Sequence, residues 1–343
     1  MANYKCPKCG APIVFKPEIG GFKCDYCYSS FSEAELTSAV ENASKGVSET
    51  TQAPSGMQGY QCGNCGAEVV VGDTSHTAFC FYCHSPIVIG DRLKNEFKPD
   101  LIIPFKIDKK TAIQKFLNWA KGKKYTPNDF TSTMQQEKMT GVYLPYWFAN
   151  YDAHVDYTAE GIEQRTWTSG RKEYTETKTY QIKRSGSVEL ENINALAFDK
   201  IDSNLINAVG KFDLDEIQKF SPGYLAGFFS EQYNKNAEEI VPMLDEKAHQ
   251  EIKYQIAASC QYSRVRNEVN NSTIQRTALR YTLLPTWVLS YIYKGKPYIF
   301  AVNGQTGDVM GEAPLSTAKI AVSSVIKGLV LAGLLILGGM FLW

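Results

Sequence analysis

The segment Cys6–Cys27 reads CPKCGAPIVFKPEIGGFKCDYC, and Cys62–Cys83, which reads CGNCGAEVVVGDTSHTAFCFYC, repeats its pattern 56 residues later. Each copy has two CxxC pairs that are fourteen residues apart. These pairs hold eight of the nine cysteines of the chain: Cys6, Cys9, Cys24, Cys27, Cys62, Cys65, Cys80 and Cys83. One CxxC pair offers two thiolates to an ion, and two pairs complete the tetrahedral site that binds structural zinc. The sequence therefore predicts two tandem zinc ribbons with one Zn²⁺ ion each.

Other interpretations of the cysteines fit the pattern less well. A disulfide framework is typical of exported proteins, whereas the first residues, MANYK, contain no apolar signal segment. A thioredoxin-like redox centre needs one CxxC beside a βαβ unit rather than two spaced pairs in two copies. The run Cys80-Phe-Tyr-Cys83-His84 matches the CxxCH pattern of c-type haem attachment, but Tyr28 replaces the histidine in the first copy.

The two copies define two small modules at the start of the chain. We call residues 1–31 module one and residues 59–90 module two. Residues 32–58 begin with a capping box, Ser32-x-x-Glu35, and continue with a stretch rich in Ser, Thr, Gly and Gln that is typical of a mobile linker. We therefore expect a short helix after module one, followed by a linker that lets the two modules move independently.

Residues 91–316 alternate aromatic, strand-like stretches with amphipathic ones, which predicts an α+β body with antiparallel sheets. Asp108 is expected to cap a helix that ends near Gly122, and two more helices are predicted over 213–220 and 237–260. An antiparallel meander is predicted from 143 to about 196, with turns at Gly161, Gly170 and Gly186. Strands are expected again over 277–293 and 297–311.

One sequence frame, L-P-x-W-x3-Y, occurs twice in this body at an offset of 140 residues. The first copy runs from Leu144 to Tyr151, and the second runs from Leu284 to Tyr291. The repetition predicts two related β-sheet modules with helices packed between them. Chance similarity between two aromatic strands is the alternative.

The C-terminal residues 320–343 read IAVSSVIKGLVLAGLLILGGMFLW, and Lys327 is their only charge. As a helix they would measure roughly 36 Å, enough to cross a hydrocarbon core of about 30 Å. The sequence therefore predicts a transmembrane helix over 319–343 in a tail-anchored, single-pass protein of the cell membrane. Lys319 and Lys327 favour a cytosolic position for the N-terminal domains.

Charge gives no reason to expect nucleic acid as the main partner. The 36 basic residues balance 36 acidic ones. Module one has four lysines against two carboxylates, whereas module two has two carboxylates and no lysine or arginine. Zinc ribbons that bind nucleic acid usually present a basic face. This pair of modules is better suited to protein contacts.

Few other residues of the chain suggest chemistry. Asp152, His154 and Asp156 alternate along one predicted strand and so share a face, where they would either bind a divalent metal or simply face solvent. Cys260 is expected to be a buried free thiol. The chain has no P-loop, GxSxG, Rossmann glycine or HExxH pattern. A four-cysteine zinc site is coordinatively closed, so we expect no enzyme here.

The order of these features resembles the Bacillus YdjG-type family of zinc-ribbon membrane proteins. The resemblance covers essentially the whole chain and is carried by the two ribbons, the terminal helix and four segments between them: LPYWFANYDAHVDY (144–157), SPGYLAGF (221–228), LPTWVLSY (284–291) and NGQTGD (303–308). It implies a membrane scaffold of the cell-envelope stress response that associates with a phage shock protein A homologue and an SPFH-domain protein. It implies no catalytic residues.

Together these features predict a non-enzymatic, membrane-anchored adaptor that recruits cytosolic or peripheral partner proteins to the membrane. The alternative is a nucleic-acid-associated zinc-ribbon factor of the replication or transcription type.

Overall fold

A computed structural model of the chain describes residues 5–36, 57–62, 68–72, 75–79, 86–89, 98–199 and 209–341. The strands in these ranges are β1 (Val14–Lys16), β2 (Gly21–Lys23), β3 (Ser30–Phe31), β4 (Met57–Gln61), β5 (Glu68–Gly72), β6 (Thr77–Phe79), β7 (Pro86–Val88), β8 (Leu101–Ile102), β9 (Thr140–Ser169), β10 (Lys172–Leu196), β11 (Gln218–Lys219), β12 (Phe229–Ser230), β13 (Arg264–Asn270), β14 (Thr273–Tyr293), β15 (Lys296–Asn303) and β16 (Val309–Gly311). The longer helices are α1 (Lys109–Lys121), α2 (Thr133–Glu137), α3 (Ala237–Ala258) and α4 (Thr317–Phe341). A short helical turn also lies at 33–36, where Ser32 and Glu35 form the predicted capping interactions.

The body is an α+β fold, as predicted, but its strands form one largely antiparallel sheet and not two separate β-sheet modules. Its main path is β10-β9-β14-β15-β16, and the short strands β8, β11, β12 and β13 lie at its sides. The predicted meander is wrong in detail, because β9 and β10 form one hairpin of strands 30 and 25 residues long. Gly170 is at its turn with φ +66, whereas Gly161 and Gly186 lie inside the paired strands. At Gly161 the Tyr262 ring occupies the space that a side chain would need.

Two of the three predicted body helices are present. The Asp108 carboxylate accepts a hydrogen bond from the Thr111 amide at 2.8 Å and caps α1, which ends at Gly122. Asn236 begins α3 with a full capping box. The helix predicted over 213–220 is wrong: a 3-10 turn at Leu214–Glu216 leads into β11. The Gln305 side chain holds this segment by hydrogen bonds to both backbone groups of Asp213, at 2.8 and 2.9 Å.

The repeated L-P-x-W-x3-Y frames lie side by side, on the neighbouring antiparallel strands β9 and β14. Leu144 pairs directly with Leu284, so a local two-fold axis passes between the two leucines. The short strands obey the same relation: β8 runs parallel to β14 at Thr282–Leu283, and β12 runs parallel to β9 at Val142–Tyr143. The sheet therefore consists of two halves, β8-α1-β9-β10 and β12-α3-β14-β15. The first strand of each half pairs with a long strand of the other half, β8 with β14 and β12 with β9.

The helix α4 leaves the body at the end of the chain. Its residues Thr317–Leu334 have a mean hydropathy of 1.5, and none of this window is buried. By length and composition, α4 can cross a membrane.

Candidate metal centre and its support

The four cysteines of module one form a group of the right size for a metal ion. Their Sγ atoms all lie within 4.8 Å of one another, with 3.5 Å between Cys6 and Cys27 and between Cys9 and Cys24. A tetrahedral ion with bonds of about 2.3 Å to sulfur would separate the sulfurs by roughly 3.8 Å. The predicted grouping of Cys6, Cys9, Cys24 and Cys27 is thus confirmed, and a Zn²⁺ ion fits this donor set.

Both CxxC pairs of module one have the same backbone geometry. The Gly10 amide donates to the Cys6 carbonyl at 2.8 Å, and the Tyr28 amide donates to the Cys24 carbonyl at 2.8 Å. Gly10 and Tyr28 both adopt left-handed conformations, with φ values of 74 and 59. A glycine does so without strain, whereas a tyrosine pays roughly 1–2 kcal/mol for it. The strained conformation of Tyr28 belongs to the turn that directs the Cys24 and Cys27 thiols towards one point.

Ser29 adjusts the acidity of one of these thiols. Its Oγ atom lies 3.4 Å from Cys27 Sγ. Hydrogen bonding with the Ser29 side chain, followed by hydrogen bonding with the Ser29 backbone, lowers the pKa of the Cys27 thiol to about 6. The lowered pKa favours the thiolate form of Cys27, which is the form that binds a metal.

In module two, the strand pairs that flank the cysteines match those of module one. Each CxxC pair lies between two residues that pair with each other in antiparallel fashion. In module one these residues are Lys5 with Pro12 and Lys23 with Ser30. In module two they are Gln61 with Glu68 and Phe79 with Pro86, each 56 residues later. Cys62 is buried. Cys65, Cys80 and Cys83 lie outside the described residues, so the second metal site remains a prediction.

Module one packs directly against the body. The Phe15 amide donates to the Ala226 carbonyl at 3.0 Å, and the Phe15 ring meets the Tyr224 ring edge-on at 5.2 Å. The Tyr224 hydroxyl donates to the Glu33 carboxylate at 2.7 Å. The apolar core of module one is thereby continuous with the core of the body.

Module two packs against the next residues of the same body segment. The His76 amide donates to the Ser230 carbonyl at 2.8 Å, and the Ser230 amide donates to the Thr77 hydroxyl at 2.8 Å. The Phe79 and Phe229 rings lie 5.0 Å apart. His76 is fully buried.

Both modules are therefore fixed to one stretch of the body, residues 222–231, which we call the docking segment. The sequence predicted two independent modules, whereas the structure places each of them against this common support through backbone hydrogen bonds and aromatic packing. Most of the predicted linker, residues 37–56, lies outside the described residues. The sequence contained one signal for this arrangement, the aromatic and glycine-rich run SPGYLAGFF, but gave no indication of its partners.

Among the described residues, Asp152, His154 and Asp156 do not form a metal-binding group. Asp152 and His154 are exposed on one face of β9, and Asp156 is half-buried on the same face. In the described part of the chain, the cysteines of module one are the one cluster of metal-binding side chains with metal-sized spacing. Cys260, which was expected to be buried, is a half-buried free thiol two residues after the end of α3.

The sequence analysis missed a prominent surface, the outer part of the β9–β10 hairpin. The last contact of β9 with β13 is at Ile162, and every residue from 163 to 181 is exposed. We call this stretch the arm. Trp167 and Tyr174 stack on it with ring centroids 5.8 Å apart. The polar composition of this stretch was visible in the sequence, but the exposure of both of its faces was not.

Comparison with known proteins yields one clear relationship. The chain is 31% identical over 322 residues to "Uncharacterized protein YdjG" of Bacillus subtilis (strain 168), a match that covers 94% of this chain and 92% of that protein. No family profile and no solved structure matches the chain. An identity of this size over nearly the full length of both proteins shows that the chain belongs to the YdjG family.

Proposed function

We propose that this protein is a non-enzymatic adaptor that is anchored in the cell membrane by α4 and binds a partner protein through the arm. The observation that carries this proposal is the position of the arm, at the end of the sheet opposite to α4. The Lys294 side chain in the β14–β15 turn donates to the Thr317 hydroxyl at 3.2 Å, so this turn lies beside the start of α4.

The strand β9 starts near that end and runs away from it. Thr140 pairs with Val288, close to the β14–β15 turn, and the hairpin turns back only at Gly170. A straight strand of this length would extend roughly 100 Å, at about 3.3 Å per residue. Twist and bulges shorten this distance, yet the arm still extends far from α4. An element that is exposed on both faces and held away from a bilayer is well placed to capture a partner.

The chemistry of the arm favours a protein ligand. Trp167 and Tyr174 are 44% and 45% exposed, and aromatic residues of this kind dominate the binding energy of protein interfaces. The described residues of the arm carry both charge signs, which does not favour a polyanion such as nucleic acid. The resemblance to YdjG-type proteins suggests a phage shock protein A homologue or an SPFH-domain protein as partner, in the cell-envelope stress response.

We assign a structural role to the metal sites. Four thiolates close the coordination sphere of a zinc ion, so the ion cannot bind substrate or activate water. Two Zn²⁺ ions, one in each module, would stabilise small domains that have little core of their own. Their cytosolic location follows from the reducing conditions that thiolate zinc sites need.

Affinity purification of the full-length protein from membranes tests the proposal. We expect the wild type to retain a partner protein that the double variant Trp167→Ser/Tyr174→Ser loses. The matched control is Tyr254→Ser, which removes a tyrosine that is 69% exposed on α3, and it should retain the partner. Retention by the arm variant, or equal loss in the control, would contradict the arm as binding site. Capture that nuclease abolishes would instead favour the nucleic-acid alternative.

A further inference from the structure

Lysines surround the start of α4. One is the last residue of α1, two belong to the loop after it, two belong to the β14–β15 hairpin and two belong to α4 itself. We call this set the basic collar: Lys121, Lys123, Lys124, Lys294, Lys296, Lys319 and Lys327. Apart from the orientation that Lys319 and Lys327 favour, the proposed function does not use the charge of this set.

Tyr125 fixes the loop of the collar to α4. Its carbonyl accepts from the Ser316 amide at 2.7 Å, and its hydroxyl lies 3.1 Å from the Ser323 hydroxyl. The Lys327 ammonium donates to the same hydroxyl at 3.4 Å. The loop backbone therefore lies beside the start of α4, and the Tyr125 hydroxyl extends to the level of Ser323 and of the Lys327 ammonium. Where that ammonium meets the headgroups of a bilayer, the loop lysines lie close to the same surface.

The hairpin lysines lie at the same end and rest on aromatic rings. Lys294 contacts Thr317 and lies 5.5 Å from the centre of the Tyr293 ring, and Lys296 lies 5.1 Å from the Tyr298 ring. In the loop, Lys123 lies 5.1 Å from the Trp119 ring. Lysines combined with tryptophan and tyrosine are typical of the membrane–water interface, where the rings sit at headgroup level.

Carboxylates do not balance this charge in the described part of the chain. Glu312 lies 3.9 Å from Lys296, and Asp129 accepts a hydrogen bond from Tyr291 at 2.9 Å. None of the other six lysines has an ion pair with a described carboxylate. Two exposed apolar side chains accompany them: Ile292, which is 72% exposed, and Leu315, which is 59% exposed. Positive charge mixed with exposed apolar and aromatic groups matches an anionic lipid surface.

We propose that the basic collar binds the headgroups of anionic phospholipids and so sets the orientation of the body on the membrane. This inference rests on the proposed role of α4 as the membrane span. Each lysine near an anionic surface strengthens attachment about fivefold. Several lysines together hold the body against the bilayer, which points the arm into the cytosol instead of leaving the body to swing about α4.

Hydrogen exchange of the full-length protein in lipid nanodiscs tests the collar. One set of discs contains phosphatidylcholine alone, and in the other set phosphatidylglycerol replaces part of it. We expect amide exchange in residues 119–126 and 291–298 to be several-fold slower in the anionic discs, and added salt should remove the difference. The arm serves as internal control, and its exchange should be the same in both.

Charge reversal provides the matched variants. Lys121→Glu/Lys123→Glu/Lys124→Glu, and separately Lys294→Glu/Lys296→Glu, should lose the lipid-dependent slowing. The control Lys172→Glu/Lys178→Glu/Lys183→Glu on the β9–β10 hairpin should keep it. Equal exchange in both lipids, or slowing that survives charge reversal, would overturn the proposed lipid binding by the collar but not the membrane anchoring by α4. A protein that fails to enter discs would overturn the membrane anchoring and, with it, this inference.

Discussion

Trp147 and Trp287 make the same contact in opposite halves of the sheet. Trp287 donates its indole N–H to the Ile107 carbonyl at 2.8 Å, and Trp147 donates to the Lys235 carbonyl at 3.1 Å. Each acceptor lies one residue before the cap of a helix, α1 or α3, that belongs to the other half. The tryptophans of the repeated frame therefore lock the two halves together at equivalent points.

The tyrosines of the frame act in the same way. Tyr151 donates to Asp245 of the other half at 2.8 Å, and Tyr291 donates to Asp129 at 2.9 Å. Burial, followed by the hydrogen bond to the Asp129 carboxylate, raises the pKa of Tyr291 to about 12. Both hydroxyls stay protonated and remain donors at physiological pH.

We expect Trp147→Phe and Trp287→Phe to destabilise the protein by similar amounts. Each change leaves a carbonyl without its donor at a helix start, which costs about 1–3 kcal/mol in the free energy of unfolding. Denaturant unfolding of the full-length protein in detergent, followed by circular dichroism, measures the effect. The exposed Trp167→Phe is the control and should change stability by about 0.5 kcal/mol at most. A clear loss of stability in only one of the two variants would contradict the equivalence of the Trp147 and Trp287 contacts.

Cys24→Ser should reduce the zinc content from two ions to one per chain, because three thiolates cannot close the tetrahedral site. Metal analysis of the purified protein measures this, with Cys260→Ser as a control that should keep both ions. Hydrogen exchange in the docking segment should also become faster, since module one packs on it. Two ions retained by Cys24→Ser, or one ion in the wild type, would contradict the assignment.

Acidification should release zinc from module one more readily when Ser29 is replaced. In the metal-free protein the pKa of Cys27 is lowered to about 6, so protons compete with zinc for this thiolate mainly as the pH falls towards that value. Ser29→Ala removes the first cause of this shift, so zinc release should move to higher pH. A zinc-sensitive dye monitors the release, and Ser30→Ala at the exposed neighbouring position should leave it unchanged. A shift to lower pH in Ser29→Ala would refute the argument.

Phe15→Ala should detach module one without destroying its metal site. The side chain is 4% exposed and packs on the docking segment, so its removal should cost about 3 kcal/mol in the free energy of unfolding. Ile19→Ala, in the same module at a position 52% exposed, is the matched control and should cost little. Faster hydrogen exchange in residues 222–228 with unchanged zinc content is the expected result. Unchanged exchange would mean that the contact contributes little.

Deletion of Thr317–Phe341 and the residues after it should move the protein from the membrane fraction to the soluble fraction. Protease added to intact cells should leave the N-terminal modules uncut, whereas protease added to lysates should cut them. Fractionation and immunoblotting measure both results. Cleavage from outside the cell would reverse the proposed orientation, and a membrane-bound deletion variant would rule out α4 as the anchor.

The sequence by itself determined the local features. Cysteine spacing predicted the group in module one, since two CxxC pairs at this interval are typical of a four-thiolate metal site. The caps at Asp108 and Asn236 fixed where α1 and α3 begin, because a side-chain oxygen beside free amides is a purely local interaction. The sequence also identified α4 as a possible membrane span, because this property depends only on the length and apolar composition of the segment.

Only the tertiary structure decided which elements meet. The frames at Leu144 and Leu284 were legible as a repeat, but strand order and register depend on contacts between residues 140 positions apart. The docking segment, the arm and the basic collar also depend on contacts between segments that are distant in the sequence. Each is defined by what packs against a segment or leaves it uncovered, and a single stretch of sequence does not contain that information.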